Sequence, residues 1–145
     1  MDENRTILII DDDLDYCCLL EIAFQEAKVH NPIEVVHDGW SAVDYLQQHG
    51  MKNLDGEALG LILLDLRMPG LSGLEVLRWI RRQPPLVEVP TVVFTGLEAG
   101  NELSQACELG ATELRTKPFS YRELIQEAKS LRDTYIEPTL VKHAA

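Results

Sequence analysis

Two short apolar runs in this chain end in acids, and together they restrict the fold more than any other feature. Ile7-Leu8-Ile9-Ile10 runs into Asp11-Asp12-Asp13, and Leu61-Ile62-Leu63-Leu64 runs into Asp65. Four aliphatic residues without polar alternation describe a strand covered on both faces, as in a parallel sheet between helices. The acid that follows then emerges at the carboxyl edge of the sheet. If the two strands are neighbours, their acids converge on one small site. Carboxylates brought that close repel one another unless a cation sits among them or one keeps its proton.

The rest of the chain supplies the matching elements. Helical spacing of Tyr16, Leu20, Ala23 and Ala27 predicts a helix from Leu14 to about residue 28, with Asp13 or Asp15 as its cap. After Asn31-Pro32, residues 33–37 read as a partly polar strand, and Asp38-Gly39 turns into a helix of about 40–49 with Val43 and Leu46 inward. Residues 50–58 read as a surface loop. Ser72-Gly73 leads into a helix holding Leu74, Leu77 and Ile80, which Pro84-Pro85 stops. Thr91–Thr95 is a buried strand, followed by a helix of about 98–109 with Leu103, Ala106 and Cys107 inward. A short polar strand, 113–116, precedes Lys117-Pro118 and a last helix of about 120–134 with Leu124, Ala128, Leu131 and Tyr135 at near-heptad spacing.

Five strands alternating with five helices imply an α/β fold, a parallel sheet covered on both faces. Strands one, three and four are uniformly apolar and belong in the centre; strands two and five carry charge and belong at the edges. The resulting order is 2-1-3-4-5, the doubly wound, flavodoxin-like three-layer sandwich. Ligands in such sheets bind beyond the strand carboxyl ends where the winding reverses, here between strands one and three. Asp11, Asp12 and Asp65 fall at that place.

Composition excludes several other classes. At 145 residues the chain has the length of one domain. No apolar stretch approaches the ~20 residues of a membrane helix, and Met1-Asp2-Glu3-Asn4-Arg5 does not start a secretory signal, so a cytoplasmic location is expected. A net charge of −11 without a basic stripe argues against nucleic-acid binding. Cys17, Cys18 and Cys107 show no metal-type spacing and read as reduced, partly buried thiols.

At strand ends stand Asp11, Asp12, Asp65, Thr95 and Lys117. Oxygen-only ligands suit a hard divalent cation, and a solvated site with few carboxylates favours Mg²⁺. Lys117 adds a second positive charge and Thr95 a hydroxyl donor. Around one carboxylate, these groups are what in-line phosphoryl transfer to that carboxylate needs. Singly each residue has a duller reading: Asp11 to Asp13 as helix caps, Asp65 as a turn cap, Thr95 as a strand end, Lys117 as a solvated lysine. At four strand ends and in this order, the duller readings lose most of their weight.

The motifs Ile-Asp11-Asp12-Asp13, Leu-Asp65-Leu-Arg-Met-Pro69-Gly, Phe-Thr95-Gly and Lys117-Pro118-Phe resemble those of receiver domains of bacterial two-component response regulators. The resemblance covers about residues 5–134. It implies Asp65 as phosphoacceptor, Asp12 as a direct Mg²⁺ ligand, Asp11 as a water-mediated one, and the backbone carbonyl of Arg67 as a further ligand. It also implies Thr95 as switch hydroxyl, Lys117 as a bridge to the phosphoryl group, and a cis bond before Pro118. More narrowly, residues 50–58 and 130–136 resemble stand-alone regulators paired with bacterial phytochromes.

Three positions depart from that pattern, and one of them, Gly96 after the switch threonine, leaves space on that face. Leu114 stands where the family usually carries the aromatic partner of the switch threonine, which leaves the coupling of Thr95 to Leu114 in question. Arg67 stands two after the acceptor, where its guanidinium is expected over the site, shielding an acyl phosphate from water. Arg67 also argues against an aspartyl phosphatase, whose general acid is usually an Asp at that position, so an enzyme acting on other substrates is not expected. An acid-rich turn in place of a glycine-rich one argues against a nucleotide-binding domain.

The expected organisation is a receiver over 1–136 and a tail over 137–145, with no output domain. Expected partners are a sensor histidine kinase, of phytochrome type in the narrower resemblance, and a downstream protein target reached through the face of helix four, strand five and helix five. Residues past Leu131 suggest a homodimer through that face or the C-terminal segment. The alternative role is a phosphorelay intermediate that passes its phosphoryl group to a histidine phosphotransfer protein.

Overall fold

A computed structural model describes residues 3–50, 59–96 and 100–137 of the chain. The loop expected at 50–58 lies outside the described residues beyond Gly50, and so does the tail beyond residue 137. The strands are β1 (Thr6–Ile10), β2 (Ile33–Val36), β3 (Leu59–Leu64), β4 (Thr91–Thr95) and β5 (Glu113–Thr116). They form one parallel sheet in the order β2-β1-β3-β4-β5, as the distribution of charge among the strands predicts. The helices are α1 (Leu14–Glu26), α2 (Gly39–Tyr45), α3 (Gly73–Arg81), α4 (Asn101–Glu108) and α5 (Tyr121–Leu131).

Strand alternation splits the core into two layers. Leu8, Ile10, Ile62, Leu64 and Val93 face α2, α3 and α4, together with Leu46, Val76, Leu77, Ile80 and Ala106. Ile7, Ile9, Leu61, Leu63, Val92 and Phe94 face α1 and α5, where Leu20, Ala23, Phe24, Leu124, Ala128 and Leu131 meet them. Each fully buried aliphatic side chain contributes about 1.5–3 kcal/mol. That burial, rather than helix propensity, holds these short helices in place.

Caps set the helix starts. Asp13, rather than Asp15, caps α1 by accepting from Tyr16 N. Ser72 and Glu75 form a reciprocal capping box on α3, which fixes its entry immediately after β3. Gly73 is needed there because a Cβ would lie 2.2 Å from the Asp65 carbonyl oxygen and 2.5 Å from Leu66 Cα. This close approach lets α3 begin against the end of β3.

Two helix expectations are corrected. Cys107 is exposed, because α4 turns Leu103 and Ala106 to the sheet and the next residue falls about 100° round the helix, on its outer side. Cys18 is exposed as well, and only Cys17 of the three thiols is buried. The last helix continues as a π-helical turn, Arg132–Ile136, that buries Ile136 and bonds the Tyr135 hydroxyl to Glu113 on β5. Tyr135 and Ile136 are therefore engaged by their own sheet, while Asp133 and Thr134 stay exposed.

Candidate functional site

The hydrogen-bond ladder delivers the acids to one place. Asp11 N donates to Val36 O at 3.0 Å and Asp65 N to Ile10 O at 2.9 Å, so both residues leave the sheet still anchored to neighbouring strands. One carboxylate oxygen from each of Asp11, Asp12 and Asp65 lies within 4.8 Å of the others. Asp11 and Asp65 are buried and Asp12 is exposed. The Asp11 carboxylate is also tied to its own turn, accepting from Asp13 N at 2.9 Å. In the Nδ1–H tautomer His37 donates to the Asp11 carbonyl at 3.1 Å, which fixes the backbone there.

β4 and β5 bring the other two groups. Thr95, 1% exposed, donates its hydroxyl to Asp65 Oδ1 at 2.7 Å. Lys117 N donates to Thr95 O at 2.8 Å, and its ammonium reaches Asp11 Oδ2 at 2.6 Å and Asp65 Oδ2 at 3.6 Å. All five residues predicted at strand ends thus meet at one site. Burial pushes the Asp11 carboxyl above its ordinary range and the Asp65 charge adds to it, against the pull of Lys117 and the Asp13 N–H. Burial works against the Lys117 ammonium, yet its contacts with Asp11 and Asp65 hold its pKa above the ordinary value.

One ammonium, paired with the two nearly dry carboxylates, therefore serves a cluster of three. The donor set is oxygen only and leaves negative charge over, so it suits a divalent cation.

The sequence profile of the response regulator receiver domain matches residues 7–129. The chain belongs to that family. The receiver fold is also that of the phosphorylated cyanobacterial phytochrome response regulator RcpA, at 27% identity and TM-score 0.81, covering 93% of this chain and 96% of that one. The Mn²⁺-bound form of response regulator Rcp1 is similar at 26% identity and TM-score 0.78, covering 92% and 95%. The bacteriophytochrome response regulator AtBRR is similar at 30% identity and TM-score 0.70, covering 89% and 92%. Receiver domains work in two-component signalling as acceptors of phosphoryl groups, and the neighbours include stand-alone regulators of phytochrome systems.

Within this receiver, one detail differs from what the resemblance implied, and two positions that depart from the family pattern find other partners. No peptide bond among the described residues is cis, so Lys117–Pro118 is trans. The two isomers of such a bond differ by only about 0.5–1 kcal/mol in favour of trans, and the trans form already allows both the Lys117 N–H bond and the ammonium contacts. Arg67 Nε pairs with Glu102 Oε1 on α4 at 3.1 Å, which ties the guanidinium to that helix. Leu114 is half-buried and packs against the α2–α3–α4 core layer.

Sequence reasoning also missed a site neighbour. Tyr16, read there as an inward residue of α1, lies with its ring centroid 4.7 Å from Lys117 Nζ. The signal available was an aromatic residue in the first turn after the three acids.

Proposed function

We propose that this receiver accepts a phosphoryl group onto Asp65 from the phosphohistidine of a sensor kinase, with a divalent cation, Mg²⁺ under physiological conditions, held by Asp11, Asp12, Asp65 and the Arg67 carbonyl. The observation that carries this reading is the convergence on Asp65 of a hydroxyl at 2.7 Å, an ammonium at 3.6 Å and two further carboxylates within 4.8 Å. In the transfer the P–N bond of the phosphohistidine breaks as a P–O bond forms to an Asp65 carboxylate oxygen. A bound divalent cation supplies positive charge for the phosphoryl oxygens. Thr95, already at Asp65 Oδ1, orients that carboxylate and is placed to donate to a phosphoryl oxygen once the acyl phosphate forms. Lys117 is held close to Asp65 while its main bond is to Asp11, so it offers a second donor to the same group.

The similarity to phytochrome regulators supports a phytochrome-type kinase as donor. Output then passes to a protein target through the α4–β5–α5 face, and a homodimer through that face is checked by size exclusion with and without phosphodonor. The test of the donor is transfer from an autophosphorylated phytochrome-type kinase in Mg²⁺, read on phosphate-affinity gels. Wild type gains a shifted band that hydroxylamine removes. Asp65→Asn and wild type in excess chelator do not. A shift that survives Asp65→Asn would overturn the assignment.

A further inference from the structure

We infer that Tyr16 is a positioning residue for the phosphoryl site: its ring face holds the Lys117 ammonium between Asp11 and Asp65. The inference rests on the reading of Lys117 as a phosphoryl-site cation. It adds a residue that the site's own acids, hydroxyl and lysine do not include.

A lysine head on a four-carbon stem is a mobile point charge with three donors, and something must limit where it sits. Among the described residues Nζ lies against Asp11 Oδ2 at 2.6 Å, Asp65 Oδ2 at 3.6 Å and the Tyr16 ring centroid at 4.7 Å. That distance is inside the range in which a ring quadrupole attracts a cation, and the attraction grows where water is excluded. The Lys117 side chain is only 15% exposed. The ring is itself braced. Phe94 of β4 packs on it with centroids 6.1 Å apart, and Asp13 fixes the first turn of α1 by capping Tyr16 N. Asp13 N in turn bonds the carboxylate of Asp11, so one short turn places both the ring and the acid that share the ammonium.

The hydroxyl of Tyr16 does not explain its presence. The oxygen is buried and has no hydrogen-bond partner among the described residues. Burial, with Asp11, Glu127 and Asp13 nearby, pushes the phenol well above its ordinary pKa, so it stays neutral beside the lysine. A buried hydroxyl without a partner costs stability. What the position uses is the ring. Packing against Phe94 alone would be met equally well by leucine.

Three variants and two readouts test this. With acetyl phosphate and saturating Mg²⁺, Tyr16→Leu is expected to slow Asp65 phosphorylation ~3- to 10-fold. Tyr16→Phe, which keeps the ring, restores the rate to within ~2-fold of wild type. In a Lys117→Met background, Tyr16→Leu adds no further slowing, because its effect passes through the lysine. Independently of phosphorylation, the Lys117 Hε resonances are shifted upfield by the ring in wild type and Tyr16→Phe and return to ordinary values in Tyr16→Leu. Equal slowing by leucine and phenylalanine, an undiminished effect without Lys117, or unshifted Hε resonances in wild type would each overturn the inference. If wild type takes up no phosphoryl group while the upfield shift is present, the phosphoacceptor reading fails and the ring–ammonium contact stands.

Discussion

At the carboxyl ends of β1 and β3, one ammonium faces carboxylates that are almost dry; along β5 and α5, one guanidinium is shared by carboxylates that keep contact with water. Asp11 and Asp65 side chains are 5% and 7% exposed, against 38% and 26% for Glu113 and Glu127. Arg115 faces Glu113 Oε2 at 3.0 Å, donates to Glu127 Oε1 and Ser130 Oγ at 2.9 Å each, and lies over the Tyr135 ring. The Tyr135 hydroxyl closes the set on Glu113. The edge network therefore keeps its acids hydrated and bonded, and it locks the last helix to the sheet. The central cluster leaves a charge surplus in a dry place, which costs stability and is the mark of a binding site. The same residue types serve the fold at one place and the chemistry at the other.

That contrast can be broken by substitution. The largest effect is expected where backbone alone separates site and helix: Gly73→Ala forces a Cβ onto the Asp65 carbonyl and lowers stability by about 3 kcal/mol in denaturant titration. Arg115→Met follows, with a loss of roughly 2 kcal/mol because two acids and Ser130 lose their partner. At the central cluster the sign reverses. Asp65→Asn keeps an acceptor for Thr95 while removing a charge, and in chelator it is expected to raise stability by about 1 kcal/mol. If Asp65→Asn and Arg115→Met destabilise alike, the two clusters are not different in kind. Arg67→Ala removes a half-exposed ion pair and costs less than about 1 kcal/mol, seen as faster hydrogen exchange in α4.

The smallest effect is on the acid limb. Burial acts against the Glu113 charge, but Tyr135 and Arg115 hold its pKa below the ordinary 4.5. A depressed folded pKa stabilises above the unfolded value, and that contribution is lost as pH falls through the folded one. Acid below pH 4.5 should therefore loosen the β5–α5 edge, in a step that Glu113→Gln lacks in an acid titration followed by Tyr135 fluorescence.

The central half of the molecule was legible because a strand buried on both faces has little room for charge, so the runs at 7–10 and 61–64 mark themselves and the acids that end them, and Val92-Val93-Phe94 marks the strand that Thr95 ends. Strand order followed from which runs carried charge. The edge was less legible. Nothing in the spacing of Glu113, Arg115, Glu127 and Tyr135 shows that they meet, since they come from three elements with different periods. Cys107 was misplaced because Leu103 and Ala106 already define the inward stripe of α4, and the residue after Ala106 lies about 100° round the helix from it. Tyr16 fitted the apolar period of α1, and only the fold reveals Lys117 over its ring.

The central claim is that the surplus charge at Asp65 exists to receive a phosphoryl group. Intact-mass analysis after incubation with acetyl phosphate and Mg²⁺ tests it most directly. Wild type is predicted to gain the mass of one phosphoryl group, and Asp65→Asn to gain none. A folded wild type of unchanged mass, or an Asp65→Asn variant that gains the same mass, would contradict it.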